Sequence, residues 1–336
     1  MERQRLILFD LLKCFAIFLV IWGHCEQHFY DTDCLDNPIY THIYSFHMPL
    51  FMMISGYFSE SSLKLRFKDF FIRKLTQLLL PCIVWGGILC LINIFINREV
   101  LSLSSIGYIF IHNLWFLKSL FCCYLLAYCG LRMFKKNFFG CILLLLCQFY
   151  PFNLYIMFPC FLAGMLLRRY DLLWQDQRTS SIILFISTVL FLFLSFYWDK
   201  SFWYNKYFNW ISFLIHGDVN VQLMALYRQI FRIAIGLSGS MSIIMLFYLI
   251  FTNCKWNKFL DVISNWGKYT MGVYIFQSII LEVFLSKYIC LGNYENLFLY
   301  SIFLPFVSVG ILYSCVVLTR LIYRSKVLKF ILLGVK

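Results

Sequence analysis

Charge is what this 336-residue sequence has least of: Asp, Glu, Lys and Arg together make up 13% of it, against about 25% in an ordinary soluble domain. That scarcity excludes a water-facing globular surface. The sequence also has no Gly/Ser linker, no repeat of fixed period and no low-complexity tail, so residues 1–336 read as a single integral-membrane domain with no room for a soluble one. No Cys or His spacing resembles a zinc or haem site, and no metal is expected. The first 25 residues lack a small-residue cleavage pattern. Asp10 and Lys13 interrupt the apolar stretch that a signal peptide would need.

What fills the chain instead is apolar. The AVILMFWYC residues are 62% of it, about 208 side chains, and mean hydropathy is +0.77. At roughly 20 residues per transmembrane helix this allows about ten crossings. Apolar runs fall at 6–25, 42–59, 75–96, 114–133, 138–150, 154–167, 180–198, 229–252, 267–285 and 297–318. The fifth and sixth are short enough to read equally as re-entrant or buried helices. The expected fold is an all-α polytopic membrane protein.

The sign of the charge gives orientation, because cytoplasmic loops of membrane proteins carry the excess of Lys and Arg. With the N-terminus inside, 21 of the 29 basic residues fall in inside segments. Only Arg98, Lys200, Lys206 and Lys287 fall outside, and Lys13, Lys118, Arg228 and Arg232 lie within or at the edges of spans. Both termini are therefore expected in the cytoplasm. The net charge of +13 becomes a topology signal with contact to anionic lipid rather than a nucleic-acid footprint. Of the 14 cysteines most lie inside apolar runs. Cys25, Cys34 and Cys290 are expected outside, and a Cys25 to Cys34 bridge is one reading of the first external loop.

Ionisable residues inside membrane spans are costly and mark function by default. Lys13 and His24 are 11 positions apart, which brings them within about 20° of one another around a helix and about 16 Å apart along it. Asp10 lies within about 60° of both. Asp10 and Lys13 read either as a self-neutralising pair or as a cytoplasmic anion site. His24 reads either as an interfacial cap or as a general base. His47, on the second span, shares the outer depth of His24. Ser55 and Gly56 permit close helix packing. Arg228 and Arg232, one turn apart, read either as an anion site or as partners of an internal acid such as Glu282. The aromatic residues Trp203, Tyr204, Tyr207 and Trp210 suit an interface anchor or a sugar-stacking surface.

The runs RLILFDLLKCFAIFLVIWGH, FHMPLFMMISGY, RKLTQLLLP, LWFLKSLF and WGKYTMGVYIFQS, in that order over nearly the whole chain, resemble the integral-membrane acyltransferase 3 family. The resemblance implies transfer of an acyl group, usually acetyl from cytoplasmic acetyl-CoA, to a hydroxyl of a cell-envelope saccharide or lipid-linked glycan, in the cell membrane. It places the family's basic residue and histidine of the first helix on Lys13 and His24, the second-motif histidine on His47 and a basic position before the third-helix proline on Arg73. Joined with the reading of the residues, His24 and His47 are expected to catalyse, Lys13, Asp10 and Arg73 to bind the donor, and Arg228, Arg232 and Gln277 to contact substrate. Three positions depart from the family pattern: Lys13 stands where Arg is commoner, Gln77 where a second basic residue is usual before Pro81, and Gln277 where many members have His. Gln277 is thereby expected to tune acceptor choice rather than to catalyse. A transporter or flippase of polysaccharide intermediates is the competing reading.

Overall fold

The computed structural model describes residues 2–30, 33–96, 98, 100–133, 138–146, 151–172, 176–202, 208, 213, 219–253, 258–289, 291–292 and 299–335. Every regular element among them is helical. Those of eight residues or more are, in chain order, α1 (Glu2–His28), α2 (Pro38–Tyr57), α3 (Phe67–Phe95, with a π-wound stretch at Leu75–Leu79) and α4 (Leu103–His112). They continue with α5 (Trp115–Met133), α6 (Phe139–Leu146), α7 (Leu154–Arg169), α8 (Gln177–Phe196) and α9 (Val219–Asn253). The last are α10 (Lys258–Gly267), α11 (Thr270–Ser278, running into a π-wound stretch at Ile279–Phe284), α12 (Leu304–Tyr323) and α13 (Lys326–Leu333).

Among the described residues seven helices are long and apolar enough to cross a membrane, and Leu103–His112 and Thr270–Phe284 are shorter apolar ones. The protein is an all-α, multi-pass membrane protein. Every apolar run of the sequence carries a helix. The sixth, 14 residues by hydropathy, belongs to a 19-residue segment, Pro151–Arg169, because a 3-10 turn at Pro151–Asn153 precedes it and the helix continues through the basic pair Arg168 and Arg169. Trp203, Tyr204, Tyr207 and Trp210 lie outside the described residues.

The chain forms two compact units: Met1–Phe58 with Pro159–Thr319, and Ser59–Phe158 with Arg320–Lys336. In the first, α1 packs on α2, α10 and α11, and α9 packs on α2 and α8. Lipid is as apolar as these side chains, so what holds such helices together is close packing and shared polar contacts. Gly236 and Gly239 bring α9 against Pro49 and Phe46 of α2. Ser240 Oγ donates to the Phe46 carbonyl at 3.2 Å, and the Thr188 and Ser242 hydroxyls meet at 3.0 Å between α8 and α9. A Cβ on Gly56 would overlap the Phe161 carbonyl, and one on Gly164 the Met53 carbonyl. The expected close packing at Gly56 is therefore present, and it is reciprocal.

The hairpin from α1 to α2 is pinned by a buried polar knot. Asn37 Oδ1 accepts from the Ile39 and Tyr40 amides, which caps α2, while its Nδ2 donates to Glu26 Oε2 at 2.7 Å. Trp22 Nε1 donates to the other carboxylate oxygen at 2.9 Å. Cys25 and Cys34 are free thiols, so the bridge between them is not formed. Cys25 Sγ is buried and meets Ser308 Oγ at 3.6 Å, while burial raises the Cys34 thiol above its ordinary pKa and disfavours the thiolate that oxidation requires.

In the second unit, Lys118 Nζ donates to the carbonyls of Phe110, Ile111 and Asn113. It thereby satisfies the end of α4, whose last acceptors have no intrahelical donor. This intramembrane cation is thus structural. Trp85 Nε1 donates to the Leu332 carbonyl at 2.9 Å and anchors α13 to α3.

Candidate active site

The cytoplasmic-side pair expected on α1 is formed. Lys13 Nζ lies 3.1 Å from Asp10 Oδ1, with 29% and 15% of the two side chains exposed. The ammonium also stands 5.4 Å from the Phe58 ring centroid. Both side chains keep partial access, so neither is locked away from a ligand. The pair sits where α10 comes closest: a Cβ on Gly267 would overlap the Asp10 carbonyl.

Three turns further along the same uninterrupted helix is His24. The α1–α2 hairpin places Tyr44 between it and His47, with ring centroids 6.2 Å from His24 and 4.6 Å from His47. Tyr44 Oη is 3.1 Å from Gln27 Oε1 and 3.5 Å from His24 Nδ1. Gln27 Oε1 can only accept, so the tyrosine hydroxyl donates to it, and the 3.5 Å contact sets His24 Nδ1 beside the same oxygen. Neutral imidazole keeps one ring nitrogen with a lone pair, which is the form a general base needs.

His47 is 3% exposed and its Nδ1 is 2.7 Å from the Ile43 carbonyl. A carbonyl only accepts, so Nδ1 carries the proton. Neutral His47 therefore offers an acceptor, not a donor, at Nε2. A role in steadying an oxyanion would require the imidazolium form.

Gln277 is 1% exposed at the end of α11, which packs on α1. Its Nε2 donates to the Tyr274 carbonyl at 3.3 Å, while its Oε1 is buried with no hydrogen-bond partner. An orphaned buried carbonyl is costly unless a ligand supplies the missing donor. Arg228 and Arg232 are both half-buried on α9. Arg73 lies in the second unit, exposed at the end of Phe67–Lys74. Its neighbour Lys74 is instead buried, with Nζ 3.5 Å from the Tyr124 ring centroid.

Three residues of this region were not singled out as site residues by sequence reasoning. Tyr44 carries no chemistry on its face and becomes visible only through its two histidine neighbours. His28 is legible as the i+4 neighbour of His24, and their rings stack at 5.8 Å. Glu282 lies on the π-wound stretch Ile279–Phe284, and a donor atom from each of His24, His28 and Glu282 falls within 4.8 Å of the others.

Fold and site together define a polytopic all-α membrane protein whose first helix carries a charged pair and a histidine on one face. The sequence matches the acyltransferase domain family over residues 7–320, and the chain belongs to that family. Among curated proteins it is similar to nodulation protein NolL of Mesorhizobium japonicum, 41% identical over 87 residues, which is 25% of this chain and 23% of that protein. It is also similar to NolL of Sinorhizobium fredii, 37% identical over 91 residues, 26% of this chain and 25% of that protein. The match spans about a quarter of the length of these relatives. No solved structure matches the chain.

Proposed function

We propose that the protein is a membrane-embedded O-acyltransferase that moves an acetyl group from cytoplasmic acetyl-CoA to a hydroxyl of a cell-envelope saccharide or lipid-linked glycan in the cell membrane. The observation that carries this reading is the placement of Lys13 and His24 on one unbroken helix, with Tyr44 set between His24 and His47. Family membership supports the reaction class. The bias of Lys and Arg toward one set of loops supports ten crossings with both termini inside, which puts Lys13 toward the cytoplasm and His24 toward the outer face.

In this reading Lys13, oriented by Asp10, receives the negative charge of the donor. His24 takes the proton of the acceptor hydroxyl on its free ring nitrogen as that oxygen attacks the thioester carbonyl. The carbonyl becomes a tetrahedral oxyanion, collapses, and releases the coenzyme thiolate, which accepts the proton. His47, with its own proton committed to Ile43, acts on the oxyanion only when protonated; otherwise an arginine such as Arg228 or Arg232 serves. The orphaned oxygen of Gln277 accepts a hydroxyl or amide hydrogen of the acceptor.

The test is product formation by the purified protein with labelled acetyl-CoA and a panel of glycan acceptors. Label transferred to a sugar hydroxyl supports the enzyme. Movement of unmodified glycan across vesicles without any acetylation would support a transporter instead.

A further inference from the structure

We infer that His24, His28 and Glu282 form a binding site for a divalent transition-metal ion of the zinc class, and that metal bound there holds the enzyme inactive. The second part rests on the reading of His24 as the base.

The donor set is two imidazoles and one carboxylate, a combination that zinc accepts with its fourth position left to water. The two imidazoles are one turn apart on α1, and their rings are nearly parallel, 10° between planes with centroids at 5.8 Å. The carboxylate comes from a distant stretch of chain that packs on the same helix. Glu282 lies within six residues of π winding, Ile279–Phe284, where the wider turn re-aims side chains relative to α11. One donor atom from each residue lies within 4.8 Å of the others. Tetrahedral zinc with bonds of about 2.0–2.1 Å wants its donors about 3.3 Å apart, so modest side-chain rotations close the site. His24 and His28 are half-buried and Glu282 is exposed, so the cluster is not sealed inside the protein. Neither His28 nor Glu282 is needed by the acyl-transfer steps.

The consequence for chemistry follows from electron pairs. A neutral imidazole binds metal through the same lone pair with which it would accept a proton. Coordination forms two nitrogen–metal bonds and one oxygen–metal bond, displaces water from the ion, and releases to solvent any proton that the carboxyl carried. A His24 so occupied has no lone pair to offer an acceptor hydroxyl.

The experiment uses purified full-length protein, stripped of metal, in detergent, with Co²⁺ as the spectroscopic probe and Zn²⁺ as its competitor. The expected result is one Co²⁺ per chain, with visible bands of a four-coordinate site that Zn²⁺ abolishes. Binding should weaken at least tenfold in His28→Ala and in Glu282→Gln. His28→Gln serves if His28→Ala does not reach normal membrane abundance. Unchanged Co²⁺ affinity in His28 and Glu282 variants of normal abundance would overturn the site. In the transfer assay, Zn²⁺ should inhibit the parent protein and spare His28→Ala, whose metal-free activity stays at the parent level. Stoichiometric Co²⁺ binding with no Zn²⁺ inhibition would leave the site standing and remove His24 as the base.

Discussion

Asn37 Nδ2 donates to Glu26 Oε2 at 2.7 Å, and both side chains are buried at the turn from α1 to α2. The same asparagine caps α2 through its other atom, so one side chain fixes both the entry angle of α2 and the end of α1. The shared tyrosine between His24 and His47 depends on that angle. Asn37→Ala loses a cap of about 1 kcal/mol and leaves a buried acceptor short of a partner, at about 1–3 kcal/mol more. Asn37→Asp keeps the cap but sets two carboxylates together. Thermal unfolding in detergent should rank the proteins as parent, then Ala, with Asp lowest at neutral pH. An Asp variant as stable as the parent would show that the knot does not carry the hairpin.

Tyr44 is read as a positioning residue, set between the rings of His24 and His47. Tyr44→Phe keeps the ring packing and removes only the hydroxyl. The expected loss is about three- to tenfold in kcat with KM for both substrates unchanged, the scale of one hydrogen bond of about 1 kcal/mol. A change confined to KM would assign Tyr44 to substrate binding instead.

Gln277 separates stability from function. Replacing it with Leu removes an orphaned buried oxygen, so the melting temperature should hold or rise. The same change should raise KM for the acceptor while leaving that for acetyl-CoA alone. A fall in stability with unaltered acceptor KM would make Gln277 a packing residue.

The Asp10–Lys13 pair is half-exposed, so breaking it should cost little more than about 1 kcal/mol of stability. Its effect on donor affinity should be larger. Lys13→Glu is expected to weaken acetyl-CoA binding at least about tenfold, the scale of a lost charge-assisted contact. Asp10→Asn should leave that affinity within threefold. Equal losses in both variants, tracking stability, would reduce the pair to a structural one.

Much of the fold was legible because a membrane span is a long apolar run, and Lys13 and His24 needed only helix geometry to be placed on one face. Gly56 was legible from its small size. What was not legible depended on local chemistry or on distance in the chain. Helix α4 begins among Ser102, Ser104 and Ser105, which read as a polar break but act as a cap, with Ser102 Oγ accepting from the Ser105 amide at 3.1 Å. Helix α9 starts at Val219 rather than near 229 because its first turns alternate buried Gln222 and Ala225 with exposed Val221 and Leu223, not a continuous apolar run. The basic pair before Pro81 drew attention to Arg73, yet burial falls on Lys74, whose stem and ammonium cover Tyr124. No spacing rule joins Glu282 to His24, since 258 positions and a π-wound turn separate them. The absence of a zinc-like spacing was a statement about neighbours in sequence, and it did not reach this cluster.

The proposed role of His24, removal of a proton from an acceptor hydroxyl, is open to test by mass spectrometry of envelope glycans from cells carrying His24→Ala at normal membrane abundance, beside the parent and a deletion. O-acetylation should fall about a hundredfold or more, to the level of the deletion, since a general base contributes roughly 10²–10⁴ in rate. O-acetylation equal to that of the parent would contradict it.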